Sequence, residues 1–156
     1  MTLLANTPLI VALCAIIFAQ LLKVPIYFLA TKKWDFSLVT STGGMPSSHS
    51  AAVTSLATAV AFETSLDSPI FAVATMFALI VMYDASGVRL EAGKHATLLN
   101  ELRKDFDLLT KNIAEWPKLN DREKQQELKT LLGHKRSEVV TGALAGIVFA
   151  SLVYVW

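Results

Sequence analysis

Four apolar stretches dominate the chain, Leu3 to Ala30, Ser50 to Leu66, Pro69 to Val88 and Val139 to Trp156. Each is long enough, or nearly so, for the ~20 residues that cross a bilayer as a helix. Backbone in hydrocarbon must satisfy its own hydrogen bonds, so stretches of this length commit the chain to membrane-spanning helices. Hydrophobic residues make up 53% of the 156 residues and charged ones 17%, a richer apolar share than an ordinary soluble domain carries. The expected fold is all-α: an integral membrane bundle of about four transmembrane helices, forming one domain over 1–156. The segment before the first stretch, MTLLANTP, has no Lys or Arg, and no small-residue cleavage site ends the run, so it reads as a retained helix and not a secretory signal.

The second stretch, AAVTSLATAVAFETS, is rich in Ala, Ser and Thr. Ala51, Ala52, Ser55 and Ala59 recur at helical spacing, which predicts a helix packed closely inside the bundle. In the fourth stretch GALAG places Gly142 and Gly146 in a G-x-x-x-G match, also read as close packing. The single cysteine, Cys14, lies within the first stretch, which excludes an intrachain disulfide and a CxxC metal or redox pair.

Charge is strongly segregated. Four spans put both termini and the Glu63 to Ser68 hairpin on one side, with the Thr31 to Ser48 loop and the Leu90 to Ser137 segment on the other. All 14 Lys and Arg fall on that second side or at its interface. The positive-inside rule makes it the cytoplasm, with both termini outside. Trp34, Tyr27, Tyr83, Tyr154 and Trp156 stand near span ends, where amphipathic rings are favoured.

Residues 97–133 read as a cytoplasmic helical insertion between the third and fourth spans. Leu99, Leu102, Phe106, Leu109, Ile113 and Trp116 alternate by three and four, an apolar stripe on a charged helix that Trp116-Pro117 ends. Asn120 followed by Glu123 forms a capping-box pattern opening a second helix, DREKQQELKTLL. The stripe suits either a hairpin folding on itself or the bundle, or self-association into a homo-oligomer.

With this topology, ionisable residues far apart in sequence meet at one cytoplasmic mouth. Lys23 is late in the first span, His49 opens the second, Asp84 and Arg89 close the third, Lys94 follows, and His134 and Glu138 open the fourth. Cations, two histidines and helix N-termini at one level suit a phosphate-like anion. In GGMPSSHSA, Gly43 and Gly44 permit a tight loop, Pro46 can start the helix, and the Ser47 and Ser48 hydroxyls can cap it or donate to oxyanions. His134 and Glu138 are four apart on one helical face, so the carboxylate can fix the imidazole tautomer and leave the other nitrogen free to attack phosphorus. His49 could then protonate the leaving oxygen. Asp84 is expected to pair with Arg89 or Lys23. Asp84 and Glu91 form no paired carboxylate motif for Mg²⁺, and no metal site, cofactor or nucleic-acid partner is expected. His95, beside Lys94, has no evident partner.

GGMPSSHS, VMYDASGVR, LGHKRSEVVTGALAGI and AQLLK together resemble the divergent branch of the type 2 phosphatidic acid phosphatase and vanadium haloperoxidase superfamily, small membrane proteins of bacteria and plastids. The likeness covers nearly the whole chain, with the motifs in order. It implies a metal-free phosphatase working on lipid phosphates through a phosphohistidine. By likeness, His134 is the nucleophile, Glu138 its orienting partner in place of Asp, and His49 the general acid. Lys23, Ser47, Ser48, Arg89 and Lys94 would hold the phosphate, with Gly44 and Asp84 in support. Pro46-Ser47-Ser48-His49 carries Ser48 where the parent motif has glycine. The parent pattern would also place Ser-Arg just ahead of His134, where Glu127 and Leu128 stand. The insertion is therefore read as splitting that motif, with Arg89 supplying the cation from before it.

The function expected is a phosphatase of lipid phosphates or diphosphates at the cytoplasmic leaflet, in a bacterial cytoplasmic membrane. The alternative is a non-catalytic protein that binds a phosphorylated lipid headgroup, or an adaptor acting through its cytoplasmic helices. A third reading is a transporter or flippase subunit.

Overall fold

A computed structural model describes residues 5–111 and 133–156, which hold five α-helices and no strand. Four of these five helices start where the sequence supplies a cap. The Asn6 side chain accepts the Leu9 N–H at 3.1 Å and opens α1 (Thr7–Thr31), with Pro8 in the first turn, where no N–H is needed. Lys32 closes it in the left-handed conformation (φ 59°), its N–H reaching the Phe28 carbonyl at 2.7 Å. One 3₁₀ turn, Phe36–Thr40, follows. Ser47 caps α2 (Ser48–Thr64) through the Ser50 N–H at 3.3 Å, and Ser68 caps α3 (Pro69–Ser86) through the Phe71 N–H at 3.1 Å. At the start of α5 (Arg136–Val155) the Glu138 carboxylate accepts the Lys135 N–H at 3.3 Å, an anion at a helix N-terminus.

Only Gly87 separates α3 from α4 (Val88–Lys111). The apolar stripe of the insertion therefore begins well inside a helix that opens at Val88, and its Leu99, Leu102 and Phe106 are exposed. Ile113, Trp116 and the expected second helix of the insertion lie outside the described residues.

Among the described residues, three helical stretches are long and apolar enough to cross a membrane: Thr7–Thr31, Pro69–Phe106 and Arg136–Val155. The remaining helix, α2, has 17 residues and rises only ~26 Å at ~1.5 Å per residue, a little short of the hydrocarbon core. Yet it is the centre of the bundle, packing on α1, α3 and α5. The reason lies in side-chain size. Lipid tails are as apolar as leucine, so helices in a membrane associate through close backbone approach, which small residues allow. Ala15, Ala19, Ala51, Ala59 and Ala150 are fully buried, whereas Leu13, Ile17, Leu21, Val73, Leu144 and Val148 point outward.

Most of the hydroxyls that make α2 polar are turned back on its own backbone. Thr54 donates to the Ser50 carbonyl at 2.8 Å, Ser55 to Ala52 at 2.9 Å and Thr58 to Thr54 at 2.8 Å. Thr54 also reaches the Ala143 carbonyl of α5 at 3.0 Å, tying the two helices together. The polarity of α2 is thus consumed within the bundle. That leaves its N-terminus, next to the N-terminus of α5, as the place where side chains can act on something else.

Candidate functional site

The two N-termini are locked by backbone. The Ser47 N–H donates to the Glu138 carbonyl at 2.9 Å, so the first turns of α2 and α5 are fixed against each other. Beside them, at the end of α3, the Ala85 carbonyl accepts the His134 N–H at 2.9 Å. These two bonds set His49, on the first turn of α2, and His134, just ahead of α5, on one cleft of about 320 Å³. Their ring centroids are 6.2 Å apart, with the planes inclined at 60°. The end of α3 contributes Ile80, Val81, Asp84 and Ala85 to the walls, and Arg89, Gly133 and Thr42 complete them.

His134 is the most constrained group there. Its side chain is 2% exposed, and Nδ1 stands 3.0 Å from Glu138 Oε2. An ionised carboxylate can only accept, so Nδ1 carries the proton and Nε2 presents its lone pair. Nε2 is buried with no hydrogen-bond partner among the described residues. Burying such an atom unsatisfied costs ~1–3 kcal/mol, a cost usually retained only where the atom has a task.

Arg89 Nε bonds Asp84 Oδ2 at 2.6 Å, with both side chains partly open to the cleft mouth. An exposed pair of this kind adds little stability, but it fixes where the guanidinium points. Arg89 and His134 are brought together through Gly133. This residue has φ +87°, and a Cβ there would sit 2.3 Å from the Leu90 nitrogen and 2.5 Å from the Arg89 carbonyl carbon. The chain entering α5 therefore crosses directly over the start of α4, and only glycine allows it. Gly133→Ala should lower the thermal midpoint by several degrees, since strained φ and a backbone clash together cost ~2–4 kcal/mol. A melt of the purified variant within a degree of wild type would show that the crossing is not tight.

Other expected residues lie away from the cleft walls. Ser47 and Ser48 are buried, with Ser47 spent on capping α2 and on α5. Gly44 takes φ +89° in the loop ahead of α2. Lys94 is exposed on α4 and bonds Glu91 at 2.7 Å. Lys23 is buried and donates to two loop carbonyls. Sequence reasoning passed over Thr42, Ile80, Val81, Ala85 and Gly133. Of these only Gly133 carried a signal, a glycine directly before the candidate nucleophile. Among the described residues no group of His, Cys, Asp and Glu is arranged to hold a metal ion.

Comparison with known proteins gives a consistent picture. A family model described as the Divergent PAP2 family matches residues 4–149. A Bacillus subtilis (strain 168) protein named as the uncharacterized membrane protein YuiD is 56% identical over 147 residues, covering 94% of this chain and 93% of its own length. No solved structure matches the chain significantly.

Proposed function

Because the chain belongs to the Divergent PAP2 family and is an integral membrane protein, we propose that it is a phosphatase that hydrolyses a lipid phosphate or diphosphate through a phosphohistidine. The observation that carries this reading is His134: buried, held by a carboxylate on one nitrogen, and without a partner on the other among the described residues, at the wall of a cleft.

In the proposed reaction, His134 Nε2 attacks phosphorus and the P–O bond to the lipid breaks. His49 gives its proton to the leaving oxygen, and the Glu138 carboxylate stabilises the charge that develops on the His134 ring. Water then attacks the phosphohistidine. His49, now neutral, takes the proton from that water, and inorganic phosphate leaves with the His134 lone pair restored. Arg89, steadied by Asp84, is the cation placed to bind the phosphoryl oxygens.

Two features support a lipid over a soluble phosphate. Ile80 and Val81 give the cleft wall an apolar part, and Ile80 is 60% exposed, which suits an acyl chain beside the phosphate. The segregation of Lys and Arg supports a mouth on the cytoplasmic leaflet.

The test is phosphate release from a panel of lipid phosphates and diphosphates by the protein in nanodiscs, with chelator present. Turnover of one class is expected. If none of the panel is hydrolysed above the protein-free rate, the cleft is better read as a binding site for a phosphorylated headgroup, and the lipids that co-purify become the next measurement.

A further inference from the structure

A lysine near the end of a membrane helix normally snorkels, laying its stem along apolar surface and keeping the ammonium in water. Lys23 does the opposite. It is 1% exposed, among the most buried side chains of the protein, and its Nζ donates to the Ser41 carbonyl at 2.9 Å and the Gly43 carbonyl at 2.9 Å. A buried ammonium is costly unless it is hydrogen-bonded, and here the partners are main-chain atoms of a single loop. The same loop is tightened by the Ser41 hydroxyl, which lies 2.9 Å from the Gly43 carbonyl and 3.0 Å from that of Leu38.

The two carbonyls that Lys23 holds flank Thr42, and Thr42 is the residue of this loop that lines the cleft. Lys23 itself is not among the cleft-lining residues. We propose that Lys23 is a positioning residue, not a ligand of the anion: its ammonium clamps the loop so that Thr42 is presented to the cleft as part of the anion-binding wall.

The role in anion binding rests on the phosphatase reading above; the clamp itself does not. Displacing a binding group by ~1 Å can cost ~10²-fold in rate, so a residue outside the cleft can matter as much as one inside it.

The test uses the full chain in nanodiscs, with inorganic phosphate as the probe. Amide hydrogen exchange is followed over 38–50, and phosphate affinity is measured for wild type, Lys23→Met, Thr42→Ala and the double variant. Lys23→Met is expected to speed exchange at Ser41, whose N–H donates to the Leu38 carbonyl at 3.1 Å, by ~10-fold or more, because this amide then opens locally. Each single variant is expected to weaken phosphate binding, and the double variant to be no more than ~2-fold worse than the weaker single, the signature of two residues acting through one contact. Unchanged loop exchange in Lys23→Met overturns the clamp. Losses that multiply in the double variant overturn the route through Thr42 and make Lys23 a direct ligand.

If wild type neither binds phosphate nor releases it from lipids, the functional reading fails, while loop exchange still decides the clamp. Should Lys23→Met lose its helical signal, Lys23→Arg replaces it. A planar fork is too large for a site fitted to an ammonium, so loop exchange should still rise, and an unchanged rate again overturns the proposal.

Discussion

His134→Ala is expected to bring phosphate release to the level of protein-free controls, a loss of at least ~10²-fold, because removing a nucleophile leaves no alternative path to the covalent intermediate. When wild type is quenched in alkali during turnover, the phosphoryl group should be found on a histidine by mass spectrometry, and His134 should be the residue. The bond should form at Nε2, since Nδ1 is occupied by Glu138 at 3.0 Å. His49→Ala should also lose ~10²-fold or more, but for another reason: without its proton the leaving alkoxide is poorly stabilised. It should still allow a trace of phosphohistidine to form from a substrate with a good leaving group, whereas His134→Ala should form none. If His134→Ala keeps phosphate release within a few-fold of wild type while its circular dichroism is unchanged, the nucleophile is misassigned.

Much of this site could be read in the sequence because its parts are local. Pro46-Ser47-Ser48-His49 before an apolar stretch announces a capped helix with a histidine on its first turn, and it is there. The i, i+4 spacing of His134 and Glu138 predicts a contact that depends on one turn of helix and nothing else. The bundle was equally legible, since block length and small-residue spacing report directly on spans and their packing.

What could not be read is what depends on where a chain goes in space. A lysine late in a helix can reach lipid headgroups, a ligand or a neighbouring loop, and spacing alone does not choose; burial against the Ser41 and Gly43 carbonyls does. Ser47 and Ser48 carry hydroxyls that suit oxyanions, but both are buried, and the Ser47 hydroxyl is taken up by the N–H and hydroxyl of Ser50. Gly87 gives no warning that α4 follows α3 directly, because one glycine does not distinguish the end of a helix from a brief interruption. Gly133 owes its meaning to the backbone of Arg89 and Leu90, more than forty residues earlier in the chain.

The same dependence on close approach makes the glycines of α5 the most sensitive points of the fold. A Cβ on Gly146 would lie 2.2 Å from the Ala51 carbonyl oxygen and 2.3 Å from Thr54 Oγ1. One on Gly142 would lie 2.3 Å from the Ser47 carbonyl oxygen and 3.0 Å from the Ser47 nitrogen. Three of these four atoms belong to backbone, which cannot turn aside as a flexible side chain would. Gly146→Leu must therefore push α2 and α5 apart and break the Thr54 bond to the Ala143 carbonyl. With no hydrophobic drive in lipid to compensate, overpacking of this size should cost at least ~3 kcal/mol and leave little folded protein after detergent extraction. Leu144→Ala, at a lipid-facing position of the same helix, is the control and should behave as wild type.

Gly142→Ala separates two consequences that Gly146→Leu merges. Its clash falls on Ser47, whose N–H holds the Glu138 carbonyl, so a small shift there moves His49 relative to His134 before it unfolds anything. If Gly142→Ala melts near wild type but loses phosphate release ~10-fold or more, the close approach of α2 and α5 serves to set the distance between the two histidines. If stability and release fall together, the contact holds the bundle and the site follows from it. A Gly142→Ala protein unchanged in both would mean that the helices have room to separate, and the account of this bundle as one held by backbone proximity would be wrong.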